Sequence, residues 1–339
     1  MPTQLKKTAV PLWVHGSFFM AYCNRSRVCF TVPIIYPTHF GVCYFSFTFI
    51  VNLSFQIITM RTVISFFLLA LCCQIANAQT NTHKIVYGSN TAAGHYLTTR
   101  GIKLYYEVYG KGAPLLFIHG NGGSISAFSN NIPYFAQHYK VIAVDSRAHG
   151  RSADPSDSLS FEMMADDFNA LLDSLHVDSS YVIGWSDGGI NGLLLAIRHP
   201  DKVKKLAITG ANLWPDTTGL TPYCYADQQK NQAALKKLPQ TPDVKNKLKI
   251  CELDVYQPNM TLAQLHPIKC PSLVIGGDHD VIPVAHTVQI AQNIPQAYLW
   301  IIPNSGHSTP VRKKDQFNPL VQDFFTHPYR KIEGGDTYN

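Results

Sequence analysis

The segment Gly184-Trp185-Ser186-Asp187-Gly188-Gly189 limits what this chain can fold into more than any other. It follows the apolar run Tyr181-Val182-Ile183 and precedes a helix-compatible stretch over residues 190–199. The order is therefore buried strand, sharp turn, helix. A serine raised on such a turn takes a strained backbone conformation, and side chains at the flanking positions would strike the adjoining strand and helix. Glycine at 184 and 188 removes those side chains. The helix that follows turns its first N–H groups toward any anion forming beside Ser186. A glycine-flanked serine in a loop is ordinarily only a turn. On a strand–turn–helix it is a candidate nucleophile, provided a base and an acid lie downstream.

The rest of the chain supplies a sheet for this turn. Residues 103–108 read as an edge strand. Pro114-Leu115-Leu116-Phe117-Ile118 is a continuous apolar run, as expected of a strand buried on both faces. The loop after it, His119-Gly120-Asn121-Gly122-Gly123-Ser124, matches neither phosphate-binding glycine motif in spacing. Its glycines instead let backbone N–H groups approach a reacting carbonyl. Residues 140–145 form the next strand. Phe161, Met164, Ala165, Phe168, Leu171, Leu172 and Leu175 then recur at helical spacing, with Asp166, Asp167 and Asp173 off that face. Further strands are expected at 203–209, 272–275 and 298–302, with a closing helix to about Phe325. Strands alternating with helices give an α/β fold: a mainly parallel, doubly wound sheet.

Between the strands at 203–209 and 272–275 the pattern changes. Prolines at 215, 222, 239, 242, 258 and 267 punctuate short polar helices carrying Lys230, Lys236, Lys237, Lys245, Lys247 and Lys249. The lysines read as a solvated face. The segment over about 211–268 reads as a helical cap inserted between late strands, above the carboxyl ends of the sheet.

Three loops at those carboxyl ends carry Ser186, Asp280 and His307, where open α/β sheets build their sites. In this arrangement His307 takes the proton of Ser186, and Asp280 fixes the imidazole tautomer. The backbone N–H groups of Asp187 and Asn121 form the oxyanion hole. Asp278 competes with Asp280 for the acid role, but Asp280 lies further out of its strand. His119, Asp145 and His149 are expected to hold loops in place. Asp278-His279-Asp280 alternates on leaving a strand, so its side chains diverge, and no metal or other cofactor is expected.

With these residues in view, residues 100–326 resemble the α/β-hydrolase superfamily. The resemblance rests on His119-Gly120, on Asp145-Ser146-Arg147-Ala148-His149-Gly150-Arg151-Ser152, on the serine turn, on Gly277-Asp278-His279-Asp280 and on Gly306-His307. Ala148 departs from the glycine that many members carry. Gly184-Trp185-Ser186-Asp187-Gly188-Gly189 together with Thr209-Gly210-Ala211-Asn212 is most similar to the valacyclovir hydrolase, or biphenyl hydrolase-like, group. That resemblance implies a serine hydrolase of small esters, with Gly120, Trp185 and Asp187 on the substrate side. Asp187 would then face the α-amino group of an amino-acid ester, or else simply hydrogen-bond the cap or a neighbouring backbone group. A lactonase, a C–C hydrolase, a cofactor-free perhydrolase and a ligand-sensing module remain alternatives on the same frame. Dehalogenases and epoxide hydrolases are disfavoured because they place a carboxylate where Ser186 stands.

Composition matters mainly at the front of the chain. Five of the 28 basic residues and none of the 22 acidic ones fall in residues 1–78, so the remainder carries one net positive charge. Nothing in that balance suggests a nucleic-acid surface. Met60 and Arg61 open an apolar core that ends at Ala76-Asn77-Ala78, the pattern of an export signal cleaved before Gln79. A periplasmic or secreted protein without a stable membrane anchor is expected. Residues 1–59 read as a pattern-free upstream extension, 79–99 as a linker or arm, 100–330 as the catalytic domain and 331–339 as a tail. Cys224, Cys251 and Cys270 remain after the signal, so one disulfide is permitted. Cys224–Cys251 is the favoured pair, and three buried thiols are the alternative. No feature of the sequence reports the oligomeric state.

Overall fold

A computed structural model describes four strands within residues 8–50, and then residues 85–333 and 337. The chain divides at Lys84 into two units. In the first, β1 (Thr8–Val14), β2 (Ser17–Asn24), β3 (Arg27–Ile34) and β4 (Cys43–Ile50) pair antiparallel in chain order. The stretch expected to be a pattern-free extension thus contains paired strands. The export signal over residues 60–78 lies outside the described residues.

The second unit is built on eight strands: β5 (Gly94–Thr99), β6 (Ile102–Tyr109), β7 (Ala113–Ile118), β8 (Tyr139–Val144), β9 (Ser180–Trp185), β10 (Val203–Thr209), β11 (Ser272–Gly277) and β12 (Ala297–Ile302). They lie in the order β12-β11-β10-β9-β7-β8-β6-β5. Six run parallel, while β6 is antiparallel to both β8 and β5. The order reverses around β7 and β9, which places the turn at Ser186 at the centre of the sheet. Alternate side chains explain why the apolar runs are continuous. Leu115 and Phe117 enter one core, with Ile132 and Phe135 of α1 (Ile132–Phe135) and Phe317, Val321 and Phe325 of α8 (Lys314–Thr326). Leu116 and Ile118 enter the other, with α2 (Phe161–Ser174), α3 (Asp187–Arg198) and α6 (Val284–Gln292).

Helix α2 starts where Ser160 accepts a hydrogen bond from the N–H of Met163, an N-cap that satisfies one orphan donor. The apolar residues expected on its inner face are buried. Asp167, expected to face water, is buried with them, and the Nε and Nη2 atoms of Arg147 each donate to its carboxylate at 2.7 Å. The inward-facing guanidinium turns a nominally exposed aspartate into a core residue.

Residues 103–108 are not the sheet edge, because β5 lies outside β6. The stretch expected as an arm is tied down by Glu107, which is fully buried. Its carboxylate accepts from the backbone N–H groups of Gly88 (2.9 Å) and Asn90 (2.8 Å) and from the hydroxyls of Tyr105 (2.8 Å) and Tyr109 (2.7 Å). Four donors around one carboxylate replace the water lost on burial.

The cap comprises α4 (Pro222–Lys237) and α5 (Pro242–Tyr256), between β10 and β11. Both begin with Thr-Pro: Thr221 and Thr241 cap the N–H groups of Cys224 and Val244, and proline occupies the first helical turn. Lys249 is not part of a solvated face. Its side chain is 10% exposed, and its ammonium donates to Asp154 Oδ2 (2.9 Å), Asp154 O (3.3 Å) and Ser156 O (2.5 Å). Asn246 adds a bond to the carbonyl of Ala148 at 2.9 Å. All three cysteines are free thiols. Cys251 lies 3.6 Å from the Asn231 side chain, two helical turns along α4 from Cys224. Among the described residues no helix is long and apolar enough to cross a membrane.

Candidate active site

Ser186 sits between β9 and α3 with φ 57° and ψ −122°, a left-handed conformation that only a strongly determined turn sustains in a non-glycine residue. Two contacts show what determines it. A Cβ on Gly188 would lie 1.8 Å from the carbonyl oxygen of Ile118, and one on Gly184 would lie 2.1 Å from that of Gly188. The turn is thus pressed between β7 and its own helix, and glycine alone fits. Gly120 passes equally close, since a Cβ there would lie 2.9 Å from the Cβ of Ser186.

His307 and Asp280 arrive on loops after β12 and β11. His307 Nε2 lies 2.9 Å from Ser186 Oγ, and Nδ1 lies 2.7 Å from Asp280 Oδ1. The Asp280 side chain is fully buried. It also accepts from the N–H of Ile282 at 3.2 Å. The competing carboxylate, Asp278, does not reach His307. It accepts from the backbone N–H groups of Asn304 and Ser305, both at 2.9 Å, which holds the turn leading to His307. Those two N–H groups keep its carboxyl below the usual carboxylate range. The Trp185 indole donates to the carbonyl of His307 at 2.8 Å, so the loop is fixed from the serine side as well.

The loops expected to be structural have explicit partners. His119 Nε2 accepts from the N–H of Ser146 at 3.0 Å, leaving Nδ1 to donate to the carbonyl of Gly120 at 2.7 Å. Burial, and then His149 beside it, lowers the His119 pKa to about 3. Asp145 accepts from the N–H groups of Ile125 and Arg151, both at 2.8 Å. Ala148 adopts φ 66°, a left-handed conformation that glycine takes at no steric cost.

A cavity of about 470 Å³ opens over Ser186. Gly120, Asn121, Trp185, Asp187 and His307 line it from the body, and Cys224, Gln228 and Asp254 from the cap. All of the sequence-selected residues except Asp280, which is buried behind His307, border this space. The backbone N–H groups of Asn121 and Asp187 have no hydrogen-bond partner among the described residues; that of Asp187 lies in the first turn of α3, where no intrahelical acceptor exists. No group of three or more His, Cys, Asp or Glu side chains able to hold a metal ion occurs among the described residues.

Asp254 is the residue that sequence reasoning missed. Its carboxyl hydrogen-bonds that of Asp187 across the boundary between cap and body. Asn121 Nδ2 donates to Asp187 Oδ2 at 3.0 Å and to the carbonyl of Ile250 at 3.1 Å. Burial raises the pKa of both acids, and for Asp254 the adjacent Asp187 charge adds to it. No motif marks position 254, which lies in a polar helix with no counterpart nearby in the sequence.

A doubly wound sheet, a strained serine turn at its centre and a histidine–aspartate pair on the loops after β12 and β11 make up the α/β-hydrolase fold, and the chain is similar to members of that superfamily. The family model described as the alpha/beta hydrolase fold matches residues 113–239. Among individual relatives, a putative carbamate hydrolase of Caulobacter sp. (strain K31) is 27% identical over 66% of this chain and 96% of its own length. The serine hydrolase BPHL of Mus musculus is 27% identical over 67% of this chain and 84% of its own. Among solved structures, Est816, titled an N-acyl homoserine lactone degrading enzyme, superposes with a TM-score of 0.58 at 28% identity. It matches 68% of this chain and all of its own.

Proposed function

We propose that this hydrolase cleaves small carboxylic esters through an acyl-enzyme on Ser186. The observation that carries the reading is the hydrogen-bonded series Asp280–His307–Ser186, at 2.7 and 2.9 Å, ending in a cavity of small-molecule size. His307 Nε2 accepts the serine proton as Oγ attacks the carbonyl carbon. The resulting imidazolium is stabilised by Asp280 and returns the proton to the leaving alkoxide. The N–H groups of Asn121 and Asp187 receive the oxyanion. Water then repeats the sequence on the acyl-enzyme and frees the acid. The chemistry needs no cofactor. Asp187, beside the nucleophile and lining the same cavity, favours esters that bear a cationic group, amino-acid esters among them. Relatives named for carbamate and lactone substrates share the fold, so substrate choice lies with the cap.

The test is p-nitrophenyl acetate hydrolysis together with labelling by a fluorophosphonate probe. In Ser186→Ala both are expected to disappear, with kcat falling by about 10⁴-fold or more. A wild-type protein that neither labels nor hydrolyses the ester would overturn the reading and favour a ligand-sensing role.

A further inference from the structure

Thr209-Gly210-Ala211-Asn212 contributes no group to the reaction, yet its residues meet separate parts of the site. The carbonyl of Thr209 accepts from the N–H of Ser186 at 2.9 Å, so the end of β10 holds the backbone of the nucleophile. A Cβ on Gly189 would lie 3.0 Å from the Cβ of Ala211, which sets this loop against the first turn of α3. Asn212 borders the cavity, and Leu213 donates its N–H to His286 Nε2 at 2.9 Å before the chain enters the cap. Gly210 lies between these contacts. Its N–H donates to the carbonyl of Ile275 on β11 at 3.2 Å, and its φ of 65° is left-handed. A Cβ there would lie 2.8 Å from His307 Cε1 and 2.9 Å from Nδ1, but 3.5 Å from Asp280 Oδ2. The last distance is ordinary contact; the first two are collisions.

We propose that Gly210 is a positioning residue for His307: its bare backbone is the seat on which the imidazole lies between Ser186 and Asp280. This rests on the Ser186 hydrolase reading and gives the loop after β10 a part in it. Carbon atoms in favourable contact are about 3.5–4.0 Å apart, so a methyl group on residue 210 would push the ring edge away by about 0.7 Å or more. Asp280, held by the N–H of Ile282 and met only at ordinary distance, would keep its place. The ring makes two hydrogen bonds at once, 2.9 Å to Ser186 Oγ and 2.7 Å to Asp280 Oδ1. Such a displacement exceeds the tolerance of about 0.5 Å within which a catalytic constellation works. Gly210 does not line the cavity, so the loss falls on rate and not on binding. A left-handed φ by itself also favours glycine, and Gly101 separates the two demands. It has φ 79° in the β5–β6 hairpin at the outer edge of the sheet, and a Cβ there meets nothing within 4 Å. Gly101→Ala introduces backbone strain alone, whereas Gly210→Ala adds the collision with the ring.

The experiment compares Gly210→Ala with Gly101→Ala in the full chain, using p-nitrophenyl acetate and the fluorophosphonate probe. Gly210→Ala is expected to lower kcat about 100-fold with KM unchanged to within about twofold, and to slow labelling of Ser186 by a similar factor. Gly101→Ala is expected to hydrolyse the ester like the wild type. Urea unfolding then tests whether the ring is the cause. Gly210→Ala should shift the midpoint further than Gly101→Ala does, and in a His307→Ala background, where the imidazole is gone, the two shifts should be equal. If Gly210→Ala alone does not fold, recovery of the fold on adding His307→Ala supports the same conclusion. Wild-type kcat in Gly210→Ala, an equal fall in Gly101→Ala, or a Gly210→Ala midpoint shift that is the same with and without the imidazole overturns the proposal. So does failure to fold both with and without His307→Ala. A wild-type protein without Ser186-dependent hydrolysis removes the hydrolase reading instead, and the unfolding comparison still decides whether Gly210 seats His307.

Discussion

Lys249→Met isolates the bond that holds the cap to the body. Methionine keeps most of the buried stem of the side chain and deletes the ammonium. Three acceptors then lose their donor: Asp154 Oδ2, Asp154 O and Ser156 O. The Asp154 side chain is fully buried, so its carboxylate cannot recover the loss from water. It keeps Arg147 Nη1, at 3.3 Å, and the backbone N–H of Ser156, at 3.1 Å. Removing one partner of a buried ion pair costs about 3–5 kcal/mol. The surviving Arg147 contact sets the expectation at the lower end, about 3 kcal/mol. In amide hydrogen exchange this corresponds to about a 100-fold rise in the opening constant, confined to α5 and residues 153–158. Lys247→Met is the control. Lys247 pairs with Asp243, both largely exposed, and its loss is expected to change nothing beyond about 0.5 kcal/mol. If α5 exchanges at the wild-type rate in Lys249→Met, the ammonium is not what fastens the cap.

Two further substitutions address the catalytic loops and the loop behind them. Asp278→Ala leaves the N–H groups of Asn304 and Ser305 to water, which reaches them because Asp278 is partly exposed, so the fold should persist while ester-hydrolysis kcat falls about tenfold as the turn carrying His307 loosens. An unaltered kcat would remove Asp278 from the positioning of His307. The second concerns pH. His119 is neutral in the fold, with its pKa lowered to about 3 from an ordinary 6.5. The unfolded chain therefore binds a proton between these values that the folded chain does not, and stability is lost as pH falls below 6.5. From pH 7 to pH 5 the loss from this residue is about 2 kcal/mol. The stability difference between wild type and His119→Asn, measured by urea unfolding, should shrink by that amount over the same interval; a constant difference would refute the assignment.

The elements most legible in the sequence are those whose meaning is local. The serine turn needs glycine at 184 and 188 because neighbouring backbone lies within 2.1 Å of where their side chains would be, and that need is written in the segment itself. The continuous apolar strands, the helical spacing of α2 and the loops ending in Asp280 and His307 are legible for the same reason. The features that escaped detection depend on what faces a residue from far along the chain. Lys249 looks like five other lysines of the cap until Asp154 stands opposite it, 95 positions earlier. Asp167 looks solvent-facing until Arg147 turns inward, and the stretch before β5 looks like a linker until Glu107 gathers the backbone of Gly88 and Asn90. Asp254 carries no local signal at all, since its partner Asp187 reaches it only after the cap has docked.

Helix α5 also bears on how such enzymes change over generations. Asn246, Lys249, the carbonyl of Ile250 and Asp254 fall at intervals of three, four and eight residues, one stripe of the helix. Three of them bind the body, through Ala148, Asp154 with Ser156, and Asn121. The fourth borders the cavity. Attachment and ligand choice are therefore written on the same face. A rotation of α5 by one position would disturb both at once, so cap and catalytic body are expected to be inherited and recombined as a matched pair, with α4 left freer to drift.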